Sequence, residues 1–367
     1  MANIPTSYPQ SVRDSIRGVI QTQVEAQVRA AVAPQVNTMV DQIRRAPAAT
    51  TTNDKLGLNI ARAYVDVHIT DPFKLRFGKF ITPAGIWNVD HGSPVVLTVR
   101  QPIQTTITPI FPEAQTGAMG YGNVPLGDHD LTYSGYITGG RVDGSSSLLG
   151  SQDGAALDNL TDMAYGGHVG LKLDMLKSVA FGVSYFNGAR RSKYQVTEVT
   201  KAIEDLQNDK LVDVSVNDVY TTKEREYAVG GDVKVEVSNL LVQGELNYGN
   251  NENELLDGSV GTLGWYGLLA WTQPVNALVA VTPYAMYESV TSTTKGAGAT
   301  GSFASSGLES FAAIVGGVNV TLFSNLHLKT EYTHLTFKTD SETWMIQKID
   351  EDDLTTGIWS TQVSVAF

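Results

Sequence analysis

The chain has 367 residues, and its 26 Lys and Arg against 38 Asp and Glu give a formal net charge of -12 at pH 7. It has no Cys, which excludes disulfides, Cys-ligated zinc and thiol catalysis. The acidic balance argues against nucleic acid as a partner, because phosphates require a basic face. Charged residues make up only 17%, below the roughly 25% of soluble domains. Because no run of about 18 apolar residues occurs, a membrane-spanning helix is not predicted, and soluble all-β proteins and membrane β-barrels remain.

The N-terminal segment differs in its periodicity from the rest of the chain. Every fourth residue from Ile20 to Val40 is apolar, which predicts an amphipathic helix interrupted at Pro34. That helix could pack on its own chain or on a sister subunit, or it could enter a pore or a coiled coil. With the polar linker that follows, this unit is expected to span 1–54. The first residues lack the pattern of a signal peptide, so an exported protein is expected here in processed form.

From residue 55 to 367 the period of the apolar residues is two, as in strands with one apolar and one polar face. This pattern predicts thirteen strands, at 56–70, 73–86, 115–122, 129–141, 163–174, 179–190, 225–237, 240–250, 264–273, 278–290, 310–323, 326–338 and 355–367. Many have about ten residues, the length that a tilted membrane strand needs.

The connections between these strands alternate in length. Short turns alternate with long loops. The short turns are at 70–72, 123–128, 175–178, 238–239, 274–277 and 324–325, and the long loops are at 87–114, 142–162, 191–224, 251–263, 291–309 and 339–354. This pattern predicts an all-β fold, an antiparallel transmembrane β-barrel of about 14–16 strands with short periplasmic turns and long external loops. The predicted location is the bacterial outer membrane.

The final strand and several aromatic residues support this prediction. Alternating residues that end in a terminal Phe resemble the C-terminal signal read by the outer-membrane assembly machinery; they include Trp359, Val363, Val365 and Phe367. Aromatic residues near strand ends are expected to form interfacial girdles, with a sugar-binding slide in the lumen as the alternative. They are Trp265, Tyr266, Trp271, Tyr284, Tyr287, Tyr332 and Trp359.

The most distinctive segment lies between residues 73 and 122. Its strand reads Leu-Arg-Phe-Gly-Lys-Phe-Ile-Thr-Pro-Ala-Gly over 75–85, and Phe-Pro-Glu-Ala-Gln-Thr-Gly follows over 111–117. This segment resembles bacterial outer-membrane porins of the phosphate-selective and OmpL-like group, in which a long loop and another strand follow. The resemblance implies a porin barrel and a homotrimer.

The strand count departs from that family. Thirteen strands place the start of the first strand on the outer side, whereas single-chain bacterial barrels have even strand numbers and periplasmic termini. Three explanations remain open at this point: a strand hidden within 15–45, an atypical closure, or a missing first strand.

The charged residues that could act in a pore follow from the alternation. Candidates for the pore lining or constriction are Arg62, Asp66, Lys74, Arg76, Asp90, His91, Arg100, Glu113, Lys172, Asp232, Lys234, Glu245, Lys329 and Glu331. Alternatively, the charged strand residues form ordinary solvated ladders on the inner wall and have no special role in the pore. The loop 87–114 is unusually apolar, so it is expected either to fold into the barrel as a constriction or to cover a neighbouring subunit at a trimer axis.

These observations predict an outer-membrane porin for passive diffusion of small hydrophilic solutes or ions. The alternative is a structural or sheath barrel, plugged by its own helix or by a partner protein. No catalytic motif, metal spacing or cofactor fingerprint is found, so we expect no enzyme activity, cofactor or metal. The expected partners are outer-membrane lipids, the assembly machinery, the permeating solutes and further copies of the chain.

Overall fold

The structure, a computed structural model, describes residues 62–90, 92, 96–106, 109–142, 163–174, 177–196, 218–253, 258–295, 308–339 and 354–365. Our predictions for the N-terminal helix, for His91 and for Phe367 lie outside these residues. The described chain is all-β apart from one helix, α1 (Ile103–Thr106). This helix is too short to cross a membrane.

The strands form one sheet of fifteen members. In chain order they are β1 (Ala63–Thr70), β2 (Phe73–Ile81), β3 (Ala114–Leu126), β4 (His129–Gly139), β5 (Arg141–Val142), β6 (Met163–Leu173), β7 (Lys177–Val196), β8 (Asp218–Val237), β9 (Leu240–Asn253), β10 (Gly258–Trp271), β11 (Gln273–Asn276), β12 (Val279–Lys295), β13 (Leu308–Leu322), β14 (Leu326–Thr339) and β15 (Leu354–Val365). Thirteen of them follow one another as antiparallel neighbours, while β5 pairs in parallel with β7 and β11 pairs with β12.

Several predicted boundaries were wrong. The second strand ends at Ile81 rather than 86, because Pro83 lacks the N–H that a ladder requires and Gly85 has a left-handed φ of 62°. Strands β7 and β8 each have 20 residues and extend into the predicted loop 191–224. The sequence of these added segments is mostly polar and shows no alternation of apolar residues, so hydrophobic periodicity could not reveal them, whereas backbone pairing continues to Val196 opposite Asp218.

The predicted turn at 274–277 is also partly strand. Gln273–Asn276 forms β11, which pairs with the start of β12. The predicted turn 123–128 narrows to two residues between β3 and β4, where Gly127 has a φ of 67°. Connections of two or three residues join β1 to β2, β3 to β4, β6 to β7, β8 to β9 and β13 to β14 at this end of the sheet.

The two faces of the sheet differ in chemistry, as the alternation predicts. One face exposes apolar side chains, for example Val183 at 61% and Ile314 at 59%. Four aromatic pairs lie on this outer face: Tyr165–Tyr185, Tyr227–Tyr248, Trp265–Tyr287 and Tyr332–Trp359. The opposite, inner face carries the charged and hydrogen-bonded residues.

The sheet curls around the segment that joins β2 to β3. This segment, residues 82–113, is called the inward loop below; the structure describes all of it except 91, 93–95 and 107–108. Side chains of β7, β9, β12 and β14 bind its backbone, which requires the inner faces of distant strands to converge. Within the described ranges, β1 pairs only with β2 and β15 only with β14, so these strands are the two edges of the path.

Candidate channel constriction

The two ends of the inward loop, residues 82–88 and 112–113, are joined by hydrogen bonds where the loop leaves the sheet; these residues are called the neck below. The Thr82 amide donates to the Glu113 carbonyl at 3.0 Å, which brings the two ends of the loop together. The Asn88 side-chain amide donates to the carbonyls of Thr82 at 2.7 Å and Pro112 at 3.1 Å. The neck therefore fixes where the loop enters the space enclosed by the sheet.

The first turn of the loop is held by β9 and β7. One oxygen of Glu245 accepts from the amides of Ile86 and Trp87, both at 2.8 Å. The Gly85 amide donates to Ser184 Oγ at 3.1 Å. A carboxylate that accepts two adjacent amides forms charge-assisted hydrogen bonds, which are stronger than neutral ones.

The far half of the loop is held by a buried ionic cluster. Glu331 of β14 accepts from the amides of Val99 at 2.8 Å and Arg100 at 3.2 Å. The guanidinium of Arg100 donates to Glu288 of β12, which also accepts from the Ile103 amide at 2.7 Å. Arg100, Glu288 and Glu331 are at most 2% exposed. Burial of these charges is tolerated because each is paired and hydrogen-bonded.

Two cations bind carbonyl groups of the same loop. Lys329 Nζ donates to the Val96 carbonyl at 2.5 Å. Arg141, the first residue of β5, donates to the carbonyls of Pro109 at 3.2 Å and Ile110 at 2.9 Å. Carboxylates on the wall thus bind loop N–H groups, and wall cations bind loop C=O groups.

Apolar contacts complete this attachment. Trp87, Ile103 and Phe111 of the loop are each less than 9% exposed and pack in three separate clusters against the inner wall. The apolar character of 87–114 therefore has a physical explanation, since the described part of the loop lies against the inside of its own sheet.

These contacts revise four of the predicted pore charges. Glu245, Lys329 and Glu331 face inward, as the alternation predicts, but they are buried beneath the loop and bound to it, and Arg100 is a buried residue of the loop itself. Sequence reasoning missed Glu288, Arg141 and Ser184. The signal for Glu288 is a carboxylate at an inward position between apolar inward residues of β12.

Two of the predicted girdle aromatics were also wrong. Tyr266 and Tyr284 lie on the inner face, where their hydroxyls donate to Glu245 at 3.1 Å and to Glu331 at 2.9 Å. Trp265 and Tyr287 lie on the outer face, although each is adjacent in sequence to an inward residue, Tyr266 and Glu288 respectively. A shift of one residue along a strand moves a side chain to the opposite face, so proximity in sequence could not assign them.

A cavity of about 500 Å³ remains beside the first turn of the loop. Its wall comes mainly from the first half of the sheet, and its charged or titratable lining residues are Arg62, Arg76, Asp90, Tyr121, Tyr133, His168, Asp232 and Lys234. Five of the predicted pore charges therefore line one cavity: Arg62, Arg76, Asp90, Asp232 and Lys234. Lys172 and Glu113 are exposed and Lys74 is half-buried, all three outside its lining.

Arg76 is the most constrained charge of this cavity. Its guanidinium forms two bonds with the Asp66 carboxylate, at 2.7 and 2.9 Å. The Tyr64 ring stacks 3.7 Å from the guanidinium carbon, and the Tyr121 hydroxyl accepts a further bond at 3.3 Å. Bidentate pairing and stacking hold an Arg in one orientation, so Arg76 presents a fixed charge. Over the described ranges no group of three or more His, Asp or Glu is placed to hold a metal ion.

Gly85 is expected to be the most sensitive glycine of the loop. A Cβ atom there would collide with the Glu245 carboxylate, and its φ of 62° disfavours any other residue. We expect Gly85→Ala to lower the free energy of unfolding by about 1–3 kcal/mol more than Gly127→Ala. Gly127 is a matched control with a φ of 67° and no atom within 4 Å of the added Cβ. Urea unfolding followed by Trp fluorescence measures both variants; equal losses would contradict the role of Glu245.

Comparisons with known proteins give limited matches. No family model and no curated protein matches the chain. Among solved structures, in-vitro folded OmpT, an outer membrane protein of Vibrio cholerae, has a TM-score of 0.48 at 11% identity and covers 79% of this chain and 76% of its own. Outer-membrane expressed OmpT of Vibrio cholerae gives 0.46 at 13%, covering 80% and 78%. The high-pH structure of Pseudomonas putida OprB gives 0.43 at 9%, covering 83% and 73%. Likeness at this level does not establish a shared family or activity.

Proposed function

We propose that this chain is an outer-membrane channel that passes small hydrophilic solutes or ions by diffusion, narrowed by the inward loop. The observation that carries the proposal is the attachment of one loop to the inside of the sheet by buried charges of β9, β12 and β14. A loop fixed in this way reduces the lumen without filling it, since a charged cavity remains beside its first turn. Pore radius and the charges at the narrowest point determine what passes.

The membrane location rests on the outer face. Apolar side chains alternate along the strands there, with aromatic pairs among them. Trp271 and Phe323 are exposed near the short turns. An apolar band between aromatic girdles is the pattern of a barrel wall that faces lipid. Closure of the sheet into a barrel belongs to this proposal.

The remaining expectations are proposals of the same kind. They are membership of the phosphate-selective and OmpL-like porin group, a homotrimer, recognition of the last strand by the assembly machinery, and absence of enzyme activity. Trp359, Val363 and Val365 are exposed at 73%, 69% and 41%, so the final strand presents its alternating apolar side chains outward.

Single-channel recording in a planar bilayer tests the channel. The full chain is expected to give stable conductance steps and a reversal potential under a salt gradient. Arg62→Gln should shift that potential towards cation preference and Asp232→Asn towards anion preference, because both residues line the open cavity. A folded, heat-modifiable barrel that is silent in every preparation would contradict the proposal.

The sheath alternative is tested by the same recording on a chain lacking residues 1–50. A silent full chain that conducts after this deletion would mean that the N-terminal segment plugs the lumen. Equal conductance with and without residues 1–50 would favour an open channel.

A further inference from the structure

His168 of β6 is connected to the inward loop through one side chain. Its Nδ1 lies 2.9 Å from Ser184 Oγ, and that oxygen accepts from the Gly85 amide at 3.1 Å. Because the amide hydrogen occupies a lone pair of the serine, the hydroxyl hydrogen is free to point at Nδ1. This arrangement requires an unprotonated Nδ1, so it fits a neutral imidazole that carries its proton on Nε2.

Asp232 of β8 approaches the same imidazole across a glycine. Gly182 of β7 lies opposite Asp232 in the β7–β8 register. Strand β7 separates β6, which carries His168, from β8, which carries Asp232. A Cβ atom on Gly182 would collide with both Asp232 Oδ2 and His168 Cε1. That carboxylate oxygen is buried, and no donor from the described part of the chain reaches it. The missing side chain of Gly182 thus leaves the space in which the two groups meet.

The other polar and charged groups around this pair come from several elements. Strand β4 contributes only hydroxyls, from Thr132 and Ser134, and β7 contributes Ser184. The loop contributes Asp90. Arg62 lies just before β1, and Arg76 of β2 is already paired with Asp66. Lys234 is bound to Glu236 at 3.1 Å, and Glu245 is bound to the loop amides. Asp232 is therefore the nearest carboxylate that can respond to the charge of His168.

We propose that His168 and Asp232 form a proton-operated charge pair that sets the ion selectivity of the cavity and is coupled to the inward loop through Ser184. This inference rests on the proposed channel function. At a pH at which the His168 imidazole is neutral, Asp232 contributes an uncompensated negative charge to the lumen. When a proton from solvent binds Nδ1, the imidazolium compensates that charge, and the Ser184 hydroxyl loses its acceptor beside Gly85.

The first test is the reversal potential of the full chain between pH 8 and pH 5.5. The cation-to-anion permeability ratio is expected to fall by about two- to four-fold over this range, since a unit charge changes near the permeating ion. His168→Gln should abolish that fall, and Asp232→Asn should lower the ratio already at pH 8. His327→Gln is the control, because His327 lies on the inner face of β14 and binds Thr321, away from the cavity. A pH-dependent fall that persists in His168→Gln would overturn the proposal.

A second readout does not require conductance. In detergent, NMR of histidine labelled at Cε1 follows the titration of each imidazole, and His168→Gln identifies the His168 signal. Asp232→Asn is expected to move the midpoint of that signal and leave the midpoint of His327 in place. If no channel is observed while this shift occurs, the charge pair stands and the channel function is contradicted. An unchanged His168 midpoint would overturn the charge pair itself.

Discussion

Replacing Arg100 with Met is expected to lower the free energy of unfolding by about 3–5 kcal/mol, since it leaves two buried carboxylates without their cation. Glu288 and Glu331 are 1% and 0% exposed, and both are ion-paired with Arg100. We also expect the far half of the inward loop to detach, which would appear as larger and noisier conductance steps. Urea unfolding in detergent measures the first effect and bilayer recording the second.

The double variant Arg100→Met with Glu288→Met provides the decisive comparison. Removing both partners of a buried pair costs much less than removing one, because no uncompensated charge remains at that position. The double variant should therefore recover part of the stability lost in Arg100→Met, with Glu331 still held by its amide donors and Tyr284. Arg62→Met, at an exposed lumenal position, is the control. Equal stability of Arg100→Met and Arg62→Met would contradict the anchoring role of Arg100.

Excising the inward loop is expected to enlarge the channel. Thr82 and Glu113 are joined by a backbone hydrogen bond of 3.0 Å, so a short Gly-Ser linker can replace residues 83–112 without separating β2 from β3. Conductance should rise by about two-fold or more, since the loop occupies the space between distant strands. Glu245, Glu288 and Glu331 would then face water, and the reversal potential should move towards cation preference.

A matched control shortens the connection 197–217 between β7 and β8, which leaves the inward loop intact. This control should change conductance far less than the excision. Unchanged conductance after excision would mean that the inward loop does not form the constriction. A rise in conductance without a shift in selectivity would mean that the wall carboxylates do not contribute to the field in the lumen.

The sequence alone was sufficient to predict the strands and their two faces. Period-two alternation depends only on the geometry of an extended chain, so it survives without any knowledge of neighbours. The predicted cores of the thirteen long strands agree with the described strands, whereas their polar ends at β7 and β8 do not carry the pattern. An apolar connection after β2 indicated a loop that either folds inward or covers a neighbouring subunit, and the described part of the loop lies on the inner wall.

The roles of the inward charges were decided only by the tertiary structure. Alternation places Lys234 and Glu245 on the same face, yet Lys234 remains exposed while Glu245 is buried beneath the loop. The difference depends on which wall positions the loop covers, and the loop meets residues more than 150 positions away, such as Glu245 at Ile86. Hydrogen bonds between such distant segments leave no periodic trace in the sequence, since they depend on how the whole sheet curls. The sequence therefore determined the wall, and the curvature of the sheet determined which of its charges hold the loop and which face the lumen.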